Sequence, residues 1–147
     1  MRNRSEIALL LLALIGLSLA LYALPLHYQP SGSRICNPSE TFNCDKVNGS
    51  PWSELFGVPV AGLGAIAYLA LFVIVYRRRA IQGALAFTDK DFWMYAVIIA
   101  LAMLGFQIYL TLAEILWIKA YCIVCLGSQV TTITITALAV WRWRAAR

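Results

Sequence analysis

The stretch IALLLLALIGLSLALYALPL, residues 7–26, carries no charged side chain. It is long enough to cross the hydrocarbon core of a membrane as a helix, which takes about 20 residues. Three further apolar runs follow at residues 58–76, 92–115 and 122–141. Because the runs are continuous rather than alternating, they exclude the strands of a membrane barrel. The sequence therefore predicts an all-α fold, an integral membrane four-helix bundle made by the single domain 1–147.

The composition agrees with a lipid environment. Hydrophobic residues make up 61% of the chain and charged residues 13%, and the mean hydropathy is +0.74. A water-soluble domain of this size could not cover so much apolar surface. The net charge of +5 does not indicate nucleic-acid binding, because no basic segment with interleaved aromatic residues is present to follow a phosphate backbone.

The basic residues predict the orientation. Nine of the twelve fall on one side of the membrane if both termini share that side. Cytoplasmic segments carry the excess of Lys and Arg, so both termini are expected in the cytoplasm and the protein in the cell inner membrane. The alternative, a secretory signal in residues 1–20, requires an unusually long apolar segment. The nine are Arg2, Arg4, Arg77, Arg78, Arg79, Lys90, Arg142, Arg144 and Arg147, and the other three are Arg34, Lys46 and Lys119.

The long polar loop, residues 25–57, is then extracytoplasmic. Near its end, Ser50 and Pro51 resemble a helix N-cap and a first-turn proline. The spacing that follows predicts a short half-helix in the membrane interface. A simple cap on the second span is the alternative. The apolar face of the half-helix would consist of Trp52, Leu55 and Phe56, with Gly57 ending it.

The four cysteines, Cys36, Cys44, Cys122 and Cys125, all fall on the outer, oxidising side. Cys122 and Cys125 share one helix face at the start of a span, where the helix dipole favours a thiolate at Cys122. A disulfide between them would close a tiny loop and add little stability, so this spacing favours a redox pair. The alternatives are two inert disulfides or a zinc site. Zinc sites normally use two short-spaced cysteine pairs, and the only histidine, His27, is distant and expected to be solvated.

Polar residues also occur inside the predicted spans. Gln107, Thr111 and Glu114 form one stripe on the third span. Such residues usually face the interior of a bundle, either as hydrogen-bonding contacts between helices or as a source of protons and hydrogen bonds for a ligand. On the fourth span, Ser128, Gln129 and Thr132 stack over Cys125 at helical spacing and could line the same pocket.

These residues together resemble the vitamin K epoxide reductase family over about residues 7–141. The resemblance consists of a loop cysteine, seven intervening residues, the segment CDKVNGSPWSELFGVPVAGLGAIAY (44–68) and the motif CIVC (122–125). The four cysteines, Ser50, Trp52, Phe56 and Gly57 stand as that family has them. The chain looks like a bacterial-type, stand-alone member without a fused thioredoxin-like domain, so its redox partner is expected to be a separate protein.

The resemblance implies a thiol:quinone oxidoreductase that supports disulfide bond formation. Cys36 would exchange with a secreted or periplasmic thioredoxin-like (DsbA-like) protein, Cys44 would pass the electrons to Cys122, and Cys125 would reduce a quinone. Val60 and Gln129 replace the Asn and Tyr by which vertebrate members contact the naphthoquinone, so ubiquinone or menaquinone is expected. Alternatives are a membrane scaffold with two structural disulfides, or a quinone or vitamin K epoxide reductase that mainly regenerates hydroquinone. The residues expected at the quinone are Ser50, Trp52, Phe56, Glu114, Ser128 and Gln129.

Overall fold

The computed structural model of the chain describes residues 3–30, 32 and 36–146. Arg2, Arg34 and Arg147, which enter the charge argument, lie outside these residues. The described residues form the helices α1 (Arg4–Tyr28), α2 (Cys44–Asn48), α3 (Val60–Tyr76), α4 (Arg78–Leu85), α5 (Asp89–Ala113) and α6 (Ile123–Ala145). They also form a 3-10 turn (Pro51–Ser53), two short strands, β1 (Glu54–Leu55) and β2 (Val58–Pro59), and a π-helical turn (Glu114–Ile118).

The described residues are mostly helical, and they form three to four helices that can span a membrane. α1, α5 with its π-helical turn, and α6 are each long and apolar enough. α3 has 17 residues and qualifies only together with α4, from which it is bent by 74°. Each predicted span therefore contains a helix. The second begins at Val60 rather than at residue 58, because Val58 and Pro59 pair with β1 instead of continuing the helix.

The helices pack in the order α3, α1, α6, α5. α1 lies against α3 and α6, and α6 lies against α5. The backbones of α3 and α5, which the structure describes throughout, hardly approach each other. Small residues allow the close contacts: Gly16 of α1 lies directly against the ring of Tyr68 on α3, where any side chain at position 16 would collide with it.

The predicted half-helix is wrong beyond its first turn. Ser50 and Pro51 do start a helical turn, but this 3-10 turn ends at Ser53 and the chain continues as the hairpin of β1 and β2. Both central hairpin residues have left-handed backbone, with φ of 52° at Phe56 and 78° at Gly57. Two such residues make the tight turn that suits a two-residue hairpin. Phe56 is 99% exposed and does not share an apolar face with Trp52.

The segment between α3 and α5 contains helix α4 and an ionic contact between three helices. The Arg78 side chain pairs with Glu6 at the start of α1 and with Asp89 at the start of α5. Its guanidinium also lies 5.2 Å from the ring centroid of Trp93, and Arg142 of α6 lies 5.0 Å from the same ring. These contacts therefore hold one end of α1, α4, α5 and α6 together.

Candidate redox site

Cys36 and Cys44, called the outer cysteines below, form a disulfide at the start of α2. Cys36 and Cys44 are bonded, their Cα atoms lie 5.5 Å apart, and both side chains are buried. The Cys44 amide donates to the Cys36 carbonyl at 3.2 Å. Beside the disulfide, the Asn37 amide donates to Asp45 Oδ2 at 2.7 Å. The disulfide and these bonds fix the loop around α2.

Cys122 and Cys125, called the inner cysteines below, are thiols at the start of α6. Cys122 is the N-cap residue, and its sulfur accepts a hydrogen bond from the Cys125 amide at 3.2 Å. Cys122 is fully buried, whereas Cys125 is partly buried because it lines a cavity. This confirms the N-terminal position that the sequence predicts for Cys122.

A short backbone bridge holds the two cysteine pairs together. Phe42 and Tyr121 pair in parallel, with the Asn43 amide donating to the Tyr121 carbonyl at 3.0 Å and the Tyr121 amide donating to the Thr41 carbonyl at 2.7 Å. One buried cluster results, in which the outer disulfide packs with the inner thiols. Its members are Leu26, Cys36, Cys44, Val47, Ala120 and Cys122, with Cys125 against it.

Asn48 connects the two pairs and was not singled out from the sequence. It is only 5% exposed, and its side-chain amide donates to the Cys44 carbonyl at 2.8 Å and to the Cys122 sulfur at 3.6 Å. Its own carbonyl lies 2.9 Å from His27 Nδ1 and accepts from Ser53 Oγ at 2.5 Å. The prediction that His27 is solvated is therefore wrong, because the end of α1 carries it to the loop. The signal in the sequence was that Asn48 lies four residues after Cys44, a spacing that places both residues on one face of a helix.

Hydrogen bonds lower the pKa of the Cys122 thiol. The largest cause is the hydrogen bond from the Cys125 side chain, and the Cys125 amide and the Asn48 amide act in the same direction. Burial and the nearby Glu114 oppose them. A thiolate at Cys122 is therefore favoured by donors that point at its sulfur.

An apolar cavity of about 420 Å³ lies beside Cys125. Its walls come from α1, α3, α5 and α6 and from the loop turn that carries Trp52. Four of the predicted quinone-contact residues line it, namely Ser50, Trp52, Glu114 and Ser128. Phe56 is exposed and does not line the cavity. Gln129 does not line it either, and its Oε1 accepts a hydrogen bond from Thr111 Oγ1 at 3.0 Å. The structure thus brings four of the six predicted residues together.

A polar network closes the deep end of the cavity. The Tyr68 hydroxyl lies 2.8 Å from Ser128 Oγ and 2.7 Å from Thr132 Oγ1. The Gln107 amide donates to Ser128 Oγ at 3.0 Å and to the Tyr68 hydroxyl at 3.2 Å. Gln107 Oε1 is buried without a hydrogen-bond partner among the described residues. It is an available acceptor at the cavity.

Glu114 lies between the polar stripe of α5 and the inner thiols. It is 3% exposed, and its Oε2 accepts from the Cys122 amide at 3.3 Å. Glu114 and Cys125 both line the cavity. In the part of the chain that the structure describes, no three His, Cys, Asp or Glu side chains are grouped to hold a metal ion.

Fold and site together define a class: an integral membrane oxidoreductase with a disulfide and a dithiol beside an apolar cavity. The chain belongs to the vitamin K epoxide reductase family, whose sequence profile matches residues 7–140. This confirms the resemblance and implies a membrane redox function. Members of the family use quinones. Among curated proteins, none matches the chain significantly.

Proposed function

We propose that the protein is a thiol:quinone oxidoreductase that oxidises a secreted thioredoxin-like protein and so supports disulfide bond formation. The observation that carries the proposal is the shared buried cluster: a disulfide, Cys36–Cys44, packs against the thiols of Cys122 and Cys125, and Cys125 borders an apolar cavity. Membership of a family of membrane oxidoreductases supports the same chemistry.

The electron path consists of thiol–disulfide exchanges. A thiolate of the partner attacks Cys36, Cys44 leaves, and the second partner thiol releases the oxidised partner. Cys44 then attacks Cys122 of an oxidised Cys122–Cys125 pair, Cys125 leaves, and Cys36 attacks Cys44 to restore the outer disulfide. The pairing in the structure, an outer disulfide with two inner thiols, is the state in which this sequence ends. Because Cys36 is only 2% exposed, the partner reaches it when the loop moves.

The cavity fits the acceptor that the family uses. A quinone supplies a lipid-soluble group that takes up two electrons and two protons. The volume of about 420 Å³ lies within the usual range of about 300–1,000 Å³ for small-molecule sites, which are mostly apolar with few polar groups. Ser128 and Gln107 would hold the polar end, while Trp52, stacked 4.8 Å from Trp117, would cover the outer end. The side between α3 and α5, whose backbones hardly approach each other, would face the lipid.

Trapping the exchange intermediate tests the path. In Cys125→Ser the Cys122 thiolate can still attack Cys44 of the Cys36–Cys44 disulfide, which is the reverse of the last exchange. Alkylation of the released Cys36 thiol then prevents the return, so the Cys44–Cys122 mixed disulfide should accumulate. Mass spectrometry of the alkylated, digested protein would detect it, and a variant lacking both inner cysteines is the control that cannot form it. Finding only Cys36–Cys44 in Cys125→Ser under every redox condition would favour the scaffold with structural disulfides.

The orientation, with cysteines outside and both termini in the cytoplasm, is part of the proposal. Ser39 in the outer loop and Arg77 before α4 are both exposed. In a background without native cysteines, Ser39→Cys should react with an impermeant maleimide in intact cells. Arg77→Cys should react only after the membrane is opened. The opposite labelling would overturn both the orientation and the role in disulfide formation.

A further inference from the structure

We propose that Glu114 accepts the proton of the Cys125 thiol when the inner dithiol is oxidised and delivers it to the acceptor in the cavity. This rests on the proposed function for the identity of the acceptor. The Cys125 S–H bond breaks, its proton moves to a Glu114 oxygen, and a bond forms between the sulfurs of Cys125 and Cys122. The electron pair goes to the quinone, which receives one proton from Glu114 and the second from water, and Glu114 returns to its carboxylate form.

The burial of Glu114 is the first observation behind this role. The residue is 3% exposed on an apolar helix, where a carboxylate is costly unless it is paired or can take up a proton. Among the described residues, the hydrogen bond that Glu114 accepts comes from the Cys122 amide, which carries no positive charge. An ion pair therefore does not account for its position.

The location of Glu114 is the second observation. It lines the same cavity as Cys125, and its Oε2 also accepts from the amide of Cys122, so the carboxyl group lies beside both the dithiol and the space that an acceptor would occupy. The titratable groups that face it are the Cys122 and Cys125 thiols of the neighbouring helix. His27 is the one histidine of the sequence, and its Nδ1 lies 2.9 Å from the backbone carbonyl of Asn48.

The backbone at Glu114 is the third observation. Glu114 is the first residue of the π-helical turn that ends at Ile118. Such turns are rare and frequently lie at functional sites, because they rotate side chains away from regular α-helical spacing. Residues 119–122 follow this turn, and the amide of Cys122 donates a hydrogen bond to the Glu114 carboxylate. A purely structural carboxylate, which only accepts the Cys122 amide, is the competing explanation.

The experiment uses the full-length protein in lipid nanodiscs, with Glu114→Gln as the variant and Glu54→Gln, an exposed loop position, as the matched control. With a short-chain quinone, the oxidation rate of the inner dithiol should fall about a hundredfold in Glu114→Gln at unchanged KM, as for loss of a general base. Transfer from Cys44 to Cys122 should be unaffected. Rates equal to those of the control would overturn the proposal.

A second readout does not depend on the quinone. In wild-type protein with isotope-labelled glutamate, infrared difference spectra are recorded while a chemical oxidant converts the inner dithiol to a disulfide. A carboxyl C=O band that changes on oxidation, is lost in Glu114→Gln and is kept in Glu54→Gln supports the proton transfer, even if the wild type fails to reduce any quinone. A carboxyl region that does not change would refute it, whether or not Glu114→Gln folds.

Discussion

Replacing Asn48 by alanine should make the Cys122 thiol less acidic. In the structure the Asn48 amide donates to the Cys122 sulfur at 3.6 Å, and this bond contributes to the lowered pKa of that thiol, after the larger contribution from Cys125. Removing a donor that stabilises the thiolate raises the thiol pKa. The pH profile of any reaction of the Cys122 thiolate should therefore move to higher pH.

The size of the shift follows from the contact. Hydrogen bonds to charged groups contribute about 1.5–3 kcal/mol, and a long bond to sulfur belongs at the lower end of that range. One pKa unit corresponds to about 1.4 kcal/mol. Because Asn48 is the smallest of the causes that lower this pKa, we expect Asn48→Ala to raise the Cys122 pKa by at most about one unit, which is at most about tenfold less thiolate at pH values below the pKa.

The assay is the rate of Cys122 alkylation by a small reagent as a function of pH, read by mass spectrometry on reduced protein. Asn48→Ala should shift the midpoint upward and leave the plateau rate at high pH unchanged. Asn37→Ala is the matched control, because Asn37 bonds Asp45 beside the outer disulfide and does not contact the Cys122 sulfur. An unchanged midpoint in Asn48→Ala, with a normal melting temperature, would refute the reasoning.

Three further outcomes are expected. Tyr68→Phe should cost about 1 kcal/mol in detergent unfolding, because the lost hydroxyl's partners keep hydrogen bonds among themselves. Arg78→Ala should cost about 2 kcal/mol in the same measurement, since it leaves the carboxylates of Glu6 and Asp89 half-buried without their cation. Cys36→Ala should abolish oxidation of a protein dithiol, yet leave quinone reduction by a small permeant dithiol largely intact, measured spectrophotometrically.

Each of these outcomes has a control. Tyr95→Phe and Arg77→Ala change exposed residues of the same types and should leave unfolding nearly unchanged. A cost above about 3 kcal/mol for Tyr68→Phe would mean that its partners are left unsatisfied, contrary to the network described. Loss of both activities in Cys36→Ala would mean that the outer disulfide supports the fold rather than carries electrons.

Features that depend on local composition could be predicted from the sequence. Each apolar run contains a helix, because in lipid the backbone must satisfy its own hydrogen bonds whatever the neighbouring helices do. The position of Cys122 at a helix start likewise followed from where a run begins. The polar stripe on α5 was visible from spacing alone, since residues three and four apart share one helix face.

Two kinds of feature could not be predicted from the sequence: those that depend on distant contacts, and those where the backbone has alternatives of nearly equal energy. Trp52, Leu55 and Phe56 have helical spacing, yet Phe56 and Gly57 adopt left-handed backbone and form a hairpin. Asn48 became visible only when folding placed α2 over Cys122, more than seventy residues away along the chain. Its position four residues after Cys44 puts both on one helix face, but that spacing does not reveal that the face meets Cys122.

The gap between α3 and α5 makes the bilayer a component of the site. Under the proposed function, acyl chains would complete the wall between these two helices, whose backbones hardly approach each other. The cavity would then exchange one hydrocarbon for another when a lipid-soluble molecule enters. Lipid tails are as apolar as leucine, and the hydrophobic effect therefore contributes little to this exchange. Discrimination between a passing lipid and an electron acceptor falls to the few polar atoms around Gln107 and Ser128.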